Sequence, residues 1–118
     1  MKAVQIGAGL VGSITAADMS RDFDVTIADL NESALAAARL CAPEMKAAVC
    51  SCTDEAALTE VIKDADIVTA GVPGKFGRKM METVIRAGKN IADISFMPED
   101  FEELDSLAKE FGITAVPD

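Results

Sequence analysis

Gly7-Ala8-Gly9-Leu10-Val11-Gly12 has glycine at its first, third and sixth positions. An apolar run precedes it and a helix-type run follows it. That context fits a turn that holds a dinucleotide. Gly7 permits the tight turn, Gly9 lets a pyrophosphate approach the backbone, and Gly12 lets the helix pack against the strand. The pyrophosphate would rest on the open N–H groups and positive end of the helix dipole. Asp29 follows roughly 20 residues on, where a carboxylate meets the hydroxyls of the adenosine ribose. A 2′-phosphate would meet its negative charge, and Leu30 and Asn31 bring no cation to offset it. The pattern therefore points to NAD rather than NADP.

A second glycine cluster runs Gly71-Val72-Pro73-Gly74-Lys75-Phe76-Gly77. Like the first, it follows a strand-type run and so belongs at the carboxyl edge of a sheet, where ligands bind in such folds. Its loop is expected near the ribose on the nicotinamide side. Ser51, Cys52 and Thr53 follow the third strand-type run and should lie beside the adenine. Ser95 follows the fifth and, with Phe96 and Met97, should border the nicotinamide end. The basic residues Lys75, Arg78 and Lys79 read as a solvated helix face more readily than as an anion site.

The chain lacks His, which removes the commonest general base, Ser-His-Asp arrangements and His-containing zinc sites. No residue stands out as an acid–base catalyst, and no metal site is expected. Cys41, Cys50 and Cys52 form no zinc-knuckle spacing; an odd cysteine count suits a reducing cytosol. Cys50 and Cys52 read as two small side chains on one face of a strand. The formal net charge of -9 disfavours nucleic acid, and no run is long enough to span a membrane. The expected location is cytoplasmic.

Six short apolar strands are expected at Ala3–Ile6, Asp24–Ala28, Met45–Cys50, Ile67–Ala70, Asn90–Asp93 and Thr114–Val116. Helices are expected between them: Val11–Ser20, one capped by Asn31 and ended by Pro43, one starting near Thr53-Asp54-Glu55, Gly77–Ala87, and one from Pro98 to Gly112. In the last, Phe101, Leu104, Leu107, Ala108 and Phe111 make one apolar stripe. This alternation specifies an α/β fold of the Rossmann type, a doubly wound parallel sheet of about six strands with helices on both faces. The 118 residues make one domain's worth of chain.

The chain resembles the N-terminal NAD(P)-binding part of the saccharopine dehydrogenase family, and within it the lysine 6-dehydrogenases. The likeness is carried by Gly7–Gly12, Phe23-Asp24-Val25 through Asp29-Leu30-Asn31, Val72-Pro73-Gly74 and, most specifically, Asp93-Ile94-Ser95-Phe96-Met97-Pro98-Glu99. It continues through Glu103-Leu104 and Gly112-Ile113-Thr114 and covers the whole chain. It implies hydride transfer between nicotinamide and the nitrogen-bearing carbon of an amino acid or amine. It also implies a substrate domain after Asp118, which would supply most substrate contacts, and a homo-oligomer for the full-length protein. Relatives often carry an Asp just after the third strand, where Ser51 stands here. Two other readings share the glycine turn and the acid: a dinucleotide-sensing regulatory domain of the potassium-transport type, and a methyltransferase. Ser95-Phe96-Met97-Pro98 speaks for the oxidoreductase, and the position of Gly12 speaks against the methyltransferase.

Overall fold

A computed structural model describes all 118 residues, Met1–Asp118. In chain order the elements are β1 (Lys2–Ile6), α1 (Leu10–Met19), β2 (Asp24–Asp29), α2 (Glu32–Cys41), β3 (Lys46–Val49), α3 (Glu55–Ile62), β4 (Ile67–Ala70), α4 (Gly74–Arg86), β5 (Ile91–Asp93), a 3-10 turn (Phe101–Leu104), α5 (Asp105–Phe111) and β6 (Ala115–Val116). The six strands form one sheet in the order β3-β2-β1-β4-β5-β6, and every neighbouring pair is parallel. This is the expected Rossmann-type sheet, with its order reversing between β1 and β4.

Apolar strand residues alternate between two cores because both faces are covered. On one face Ala3, Val25 and Ile27 pack against Ala16 of α1 and Leu35 and Ala38 of α2. On the other, Val4, Ile6, Val68 and Ile91 pack against Leu58 and Ile62 of α3 and Met80, Met81, Val84 and Ile85 of α4. Burying each of these larger side chains contributes on the order of 1.5–3 kcal/mol. No helix is long and apolar enough to cross a membrane.

Several boundaries follow from capping. Asn31 accepts the Ala34 N–H at 3.1 Å, and Asp54 accepts the Ala57 N–H at 3.1 Å, starting α2 and α3. Gly112 stops α5 in the left-handed conformation, φ 63°.

Three expectations are corrected. First, α4 begins at Gly74 rather than Gly77. A Cβ on Gly74 would lie 2.4 Å from the Phe96 carbonyl oxygen, and one on Gly77 3.0 Å from Met97 Cβ. These glycines let the segment after β5 cross the first turn of the helix. Second, the last helix does not start at Pro98. Asp100 caps the 3-10 turn by accepting the Glu102 N–H at 2.9 Å, and α5 begins only at Asp105. Of its expected stripe, Leu104 is buried, Leu107 and Ala108 pack at the core margin, and Phe101 and Phe111 are exposed. Third, β3 ends at Val49, so Cys50 and Cys52 lie in the following loop rather than on one strand face.

Candidate functional site

The glycine turn closes the gap between β1 and α1 by contacts that leave no room for side chains at two positions. Gly7 has φ 98°, and a Cβ there would lie 2.5 Å from the Gly71 carbonyl oxygen. A Cβ on Gly12 would lie 2.1 Å from the Gly7 carbonyl oxygen. Gly9 differs. Its φ of -68° suits any residue, and nothing lies within 4 Å of a Cβ built there. The fold makes no demand for glycine at this position, and the space above it is open. The start of α1 has no side-chain cap, which leaves its N–H groups free for an anion.

Asp29 ends β2 beside this turn. Its Oδ2 accepts the Ala8 N–H at 2.7 Å, and its Oδ1 accepts the Asn31 N–H at 2.8 Å. Each oxygen keeps a further lone pair for a ribose hydroxyl. The carboxylate is thereby fixed before any ligand arrives.

A cleft of about 410 Å³ opens along the carboxyl edge of the sheet. Of the residues expected to bind a cofactor, Gly7, Gly9, Asp29, Leu30, Ser51, Cys52, Gly71, Val72 and Pro73 line it. The others stand behind it or beside it. Ala8 is buried and gives its N–H to Asp29, so it supports the carboxylate instead of meeting a ligand. Asn31 is taken up in capping α2, and Gly12 and Gly74 are glycines for packing. Leu10 and Val11 are exposed on α1, outside the cleft. Ser95 is buried under the second glycine loop, where its Oγ accepts the Val72 N–H at 3.1 Å and donates to Asp93 Oδ1.

Thr53, expected beside the adenine with Ser51 and Cys52, lines it too; sequence reasoning missed Ile6, Ala28, Cys50 and Phe76, which also line the cleft. Ile6 and Ala28 are signalled by their place at strand ends. Phe76 would have followed from starting α4 at Gly74. Burial raises the Cys50 and Cys52 thiols above their ordinary pKa, and nearby Asp54 and Asp29 push the same way. Both are therefore neutral walls of the cleft and not nucleophiles. In the basic cluster, Arg78 is engaged by Glu82 and Glu103, and Lys75 sits 4.9 Å over the Phe76 ring. Lys75 thus stands against the cleft wall formed by Phe76.

The match to known families decides the identity. The model of the saccharopine dehydrogenase NADP binding domain matches residues 3–116. The chain belongs to this family. A sequence comparison with curated proteins gives no match. Among solved structures, saccharopine dehydrogenase (L-Glu forming) from Saccharomyces cerevisiae superposes with a TM-score of 0.83 at 25% identity, over 98% of this chain and 26% of the yeast chain. GenD2 from gentamicin A biosynthesis, solved with NAD, has a TM-score of 0.79 at 18% identity, over 99% of this chain and 34% of its own. Biliverdin reductase from Synechocystis, solved with biliverdin and NADP+, has 0.76 at 14%, over 99% and 37%. The last two share the fold. The chain therefore spans only a quarter to two-fifths of the length of these matched chains.

Within this domain, Asp93 is the one buried acid whose titration the fold alters. It is 3% exposed, its Oδ2 has no partner, and burial raises its pKa above the ordinary 3.8. The hydrogen bonds from Ser95 and the Ile94 N–H act against this shift, and nearby Asp118 adds to it. The folded state therefore holds the proton more tightly than the unfolded state. Stability contributed here is complete below the ordinary pKa and is lost as pH rises through the raised one. Thermal midpoints measured from pH 3.5 to 8 should show this decline in the wild type. Asp93→Asn should flatten it, and an unchanged slope in that variant would place the titration elsewhere.

Proposed function

We propose that this chain is the NAD-binding domain of an amine or amino-acid oxidoreductase of the saccharopine dehydrogenase type, with lysine as a candidate substrate. The observation that carries the reading is the cleft itself. It joins open space above Gly9 to a carboxylate held ready by two backbone N–H groups. When bound, the nicotinamide supplies the hydride acceptor for a carbon–nitrogen bond. The chain's own part is to bind and orient. The N-terminus of α1 holds the pyrophosphate, Asp29 the adenosine ribose, and Ser51, Cys52 and Thr53 form the adenine wall. Gly71, Val72 and Pro73 line the opposite side, fixed by Ser95 through the Val72 N–H.

The domain offers one wall of a substrate cleft. A second domain after Asp118, expected from the resemblance, would supply the other wall, the exclusion of water and most substrate contacts. Orientation of that kind is worth roughly 7–11 kcal/mol of barrier. The full-length protein is proposed to be a cytoplasmic homo-oligomer. Its three unpaired cysteines suit a reducing compartment.

Titrating the 118-residue chain with NAD by calorimetry tests the binding part; no saturation up to millimolar cofactor would refute it. NADH absorbance, followed with lysine, saccharopine and diamines, tests the rest. The domain alone is expected to show no enzymatic turnover, whereas a chain carrying a second domain should. Tight NAD binding without turnover in the longer chain would favour the dinucleotide-sensing reading instead.

A further inference from the structure

The glycine turn is held from beneath by a side chain that lies outside the dinucleotide pattern. Gln5 is in β1 and only 1% exposed, flanked by the apolar residues Val4 and Ile6. Its Nε2 donates to the carbonyls of Ile6 at 2.8 Å and Gly7 at 3.2 Å. Its Oε1 accepts from Thr69 Oγ1 of β4 at 2.6 Å. The amide is thus occupied at both ends and ties the neighbouring strand to the turn. The same Nε2 lies 3.1 Å from the place a Gly12 Cβ would take, so strand, turn and helix start meet at this one group.

A buried amide is costly unless it is bonded, and an apolar side chain would fill the same space without that demand. What the amide adds is direction. Gly7 turns its carbonyl inward at φ 98°, against the start of α1. A donor beneath it fixes that peptide, and with it the orientation of the N–H groups that follow. We propose that Gln5 is a positioning residue for the dinucleotide site, holding the Gly7 peptide so that the open end of α1 faces the pyrophosphate. This rests on the dinucleotide reading above.

Gln5→Met keeps the length and removes both donors. It is expected to fold, to lose tenfold or more in NAD affinity, and to exchange the hydrogen-bonded amides of the turn, those of Gly7, Ala8 and Ser13, tenfold or more faster. Thr83→Val serves as the control. Thr83 is also buried, and its Oγ1 bonds only the Lys79 carbonyl, within α4. At a comparable loss of thermal stability, it should change NAD affinity less than twofold and leave exchange at Gly7, Ala8 and Ser13 unaltered. Thr69→Val frees the far end of the Gln5 amide and should raise the same exchange about threefold, which decides the matter if Gln5→Met does not fold. Wild-type affinity and exchange in Gln5→Met would overturn the proposal. So would a Thr83→Val variant that loses affinity in proportion to its stability. If the wild type binds neither NAD nor NADP, the dinucleotide reading fails. The exchange rates then judge Gln5 alone: a selective rise at Gly7, Ala8 and Ser13 upholds its hold on the turn, and no rise refutes it.

Discussion

Gly9→Val is expected to abolish dinucleotide binding while leaving the fold intact. The backbone at Gly9 is extended, with φ -68° and ψ -171°, which a β-branched residue adopts readily. No protein atom lies within 4 Å of the new Cβ. Thermal stability should therefore stay within about 0.5 kcal/mol of wild type, as for other surface changes. The branched side chain would instead fill the space of a pyrophosphate resting on α1. Affinity for NAD should fall at least tenfold, or about 1.4 kcal/mol. Gly12→Val is the contrasting case. Its Cβ would meet the Gly7 carbonyl oxygen at 2.1 Å, so backbone must move. A destabilisation of about 1–3 kcal/mol or more is expected, with binding lost as a consequence. Melting curves and calorimetry on the two variants separate the roles. If Gly9→Val bound NAD like wild type, the pyrophosphate would have to lie elsewhere.

This contrast also marks what the sequence can reveal. The spacing of Gly7, Gly9, Gly12 and Asp29 is set by a strand, a turn and a helix adjacent in the chain, so the adenosine half of the site is legible from local order. Asn31 and Gly112 are legible for the same reason: a cap and a stop act on their own helix. The start of α4 is not. Glycine is a poor helix former, and Val72-Pro73-Gly74 reads as loop. Position 74 needs glycine within the helix because the Phe96 carbonyl passes over it, a contact across 22 residues that no local pattern encodes.

Pro98 misleads in the same way. Proline suits the first turn of a helix. Here the chain must first cross α4, with Phe96 held at φ 51°, before it can turn into the 3-10 segment. Phe96 is 78% exposed beside this crossing, an aromatic ring in strained backbone at the edge where the nicotinamide half of a cofactor is proposed. Gln5 was invisible for a third reason. Its role is defined by carbonyls it meets in three dimensions, and in the chain it is only one polar residue in an apolar strand.

Asp29→Ala is expected to move the two nicotinamide cofactors in opposite directions. On the proposed reading the carboxylate accepts from the ribose 2′-hydroxyl, and hydrogen bonds to a charged group contribute about 1.5–3 kcal/mol. Their loss should weaken NAD roughly tenfold or more. A 2′-phosphate in the same place meets like charge; at about 4 Å the repulsion is ~1 kcal/mol in water and ~4 kcal/mol in a partly shielded site. The wild type should therefore prefer NAD at least tenfold in calorimetric titrations, although the family is named for NADP. Equal affinities in the wild type would refute this reading of Asp29. The carboxylate also anchors the Ala8 and Asn31 N–H groups, so its removal loosens the turn. That loosening alone would weaken NAD and NADP together. A fall in NAD accompanied by unchanged or tighter NADP can arise only if the carboxylate reads the ribose directly, because repulsion of the 2′-phosphate then leaves with it.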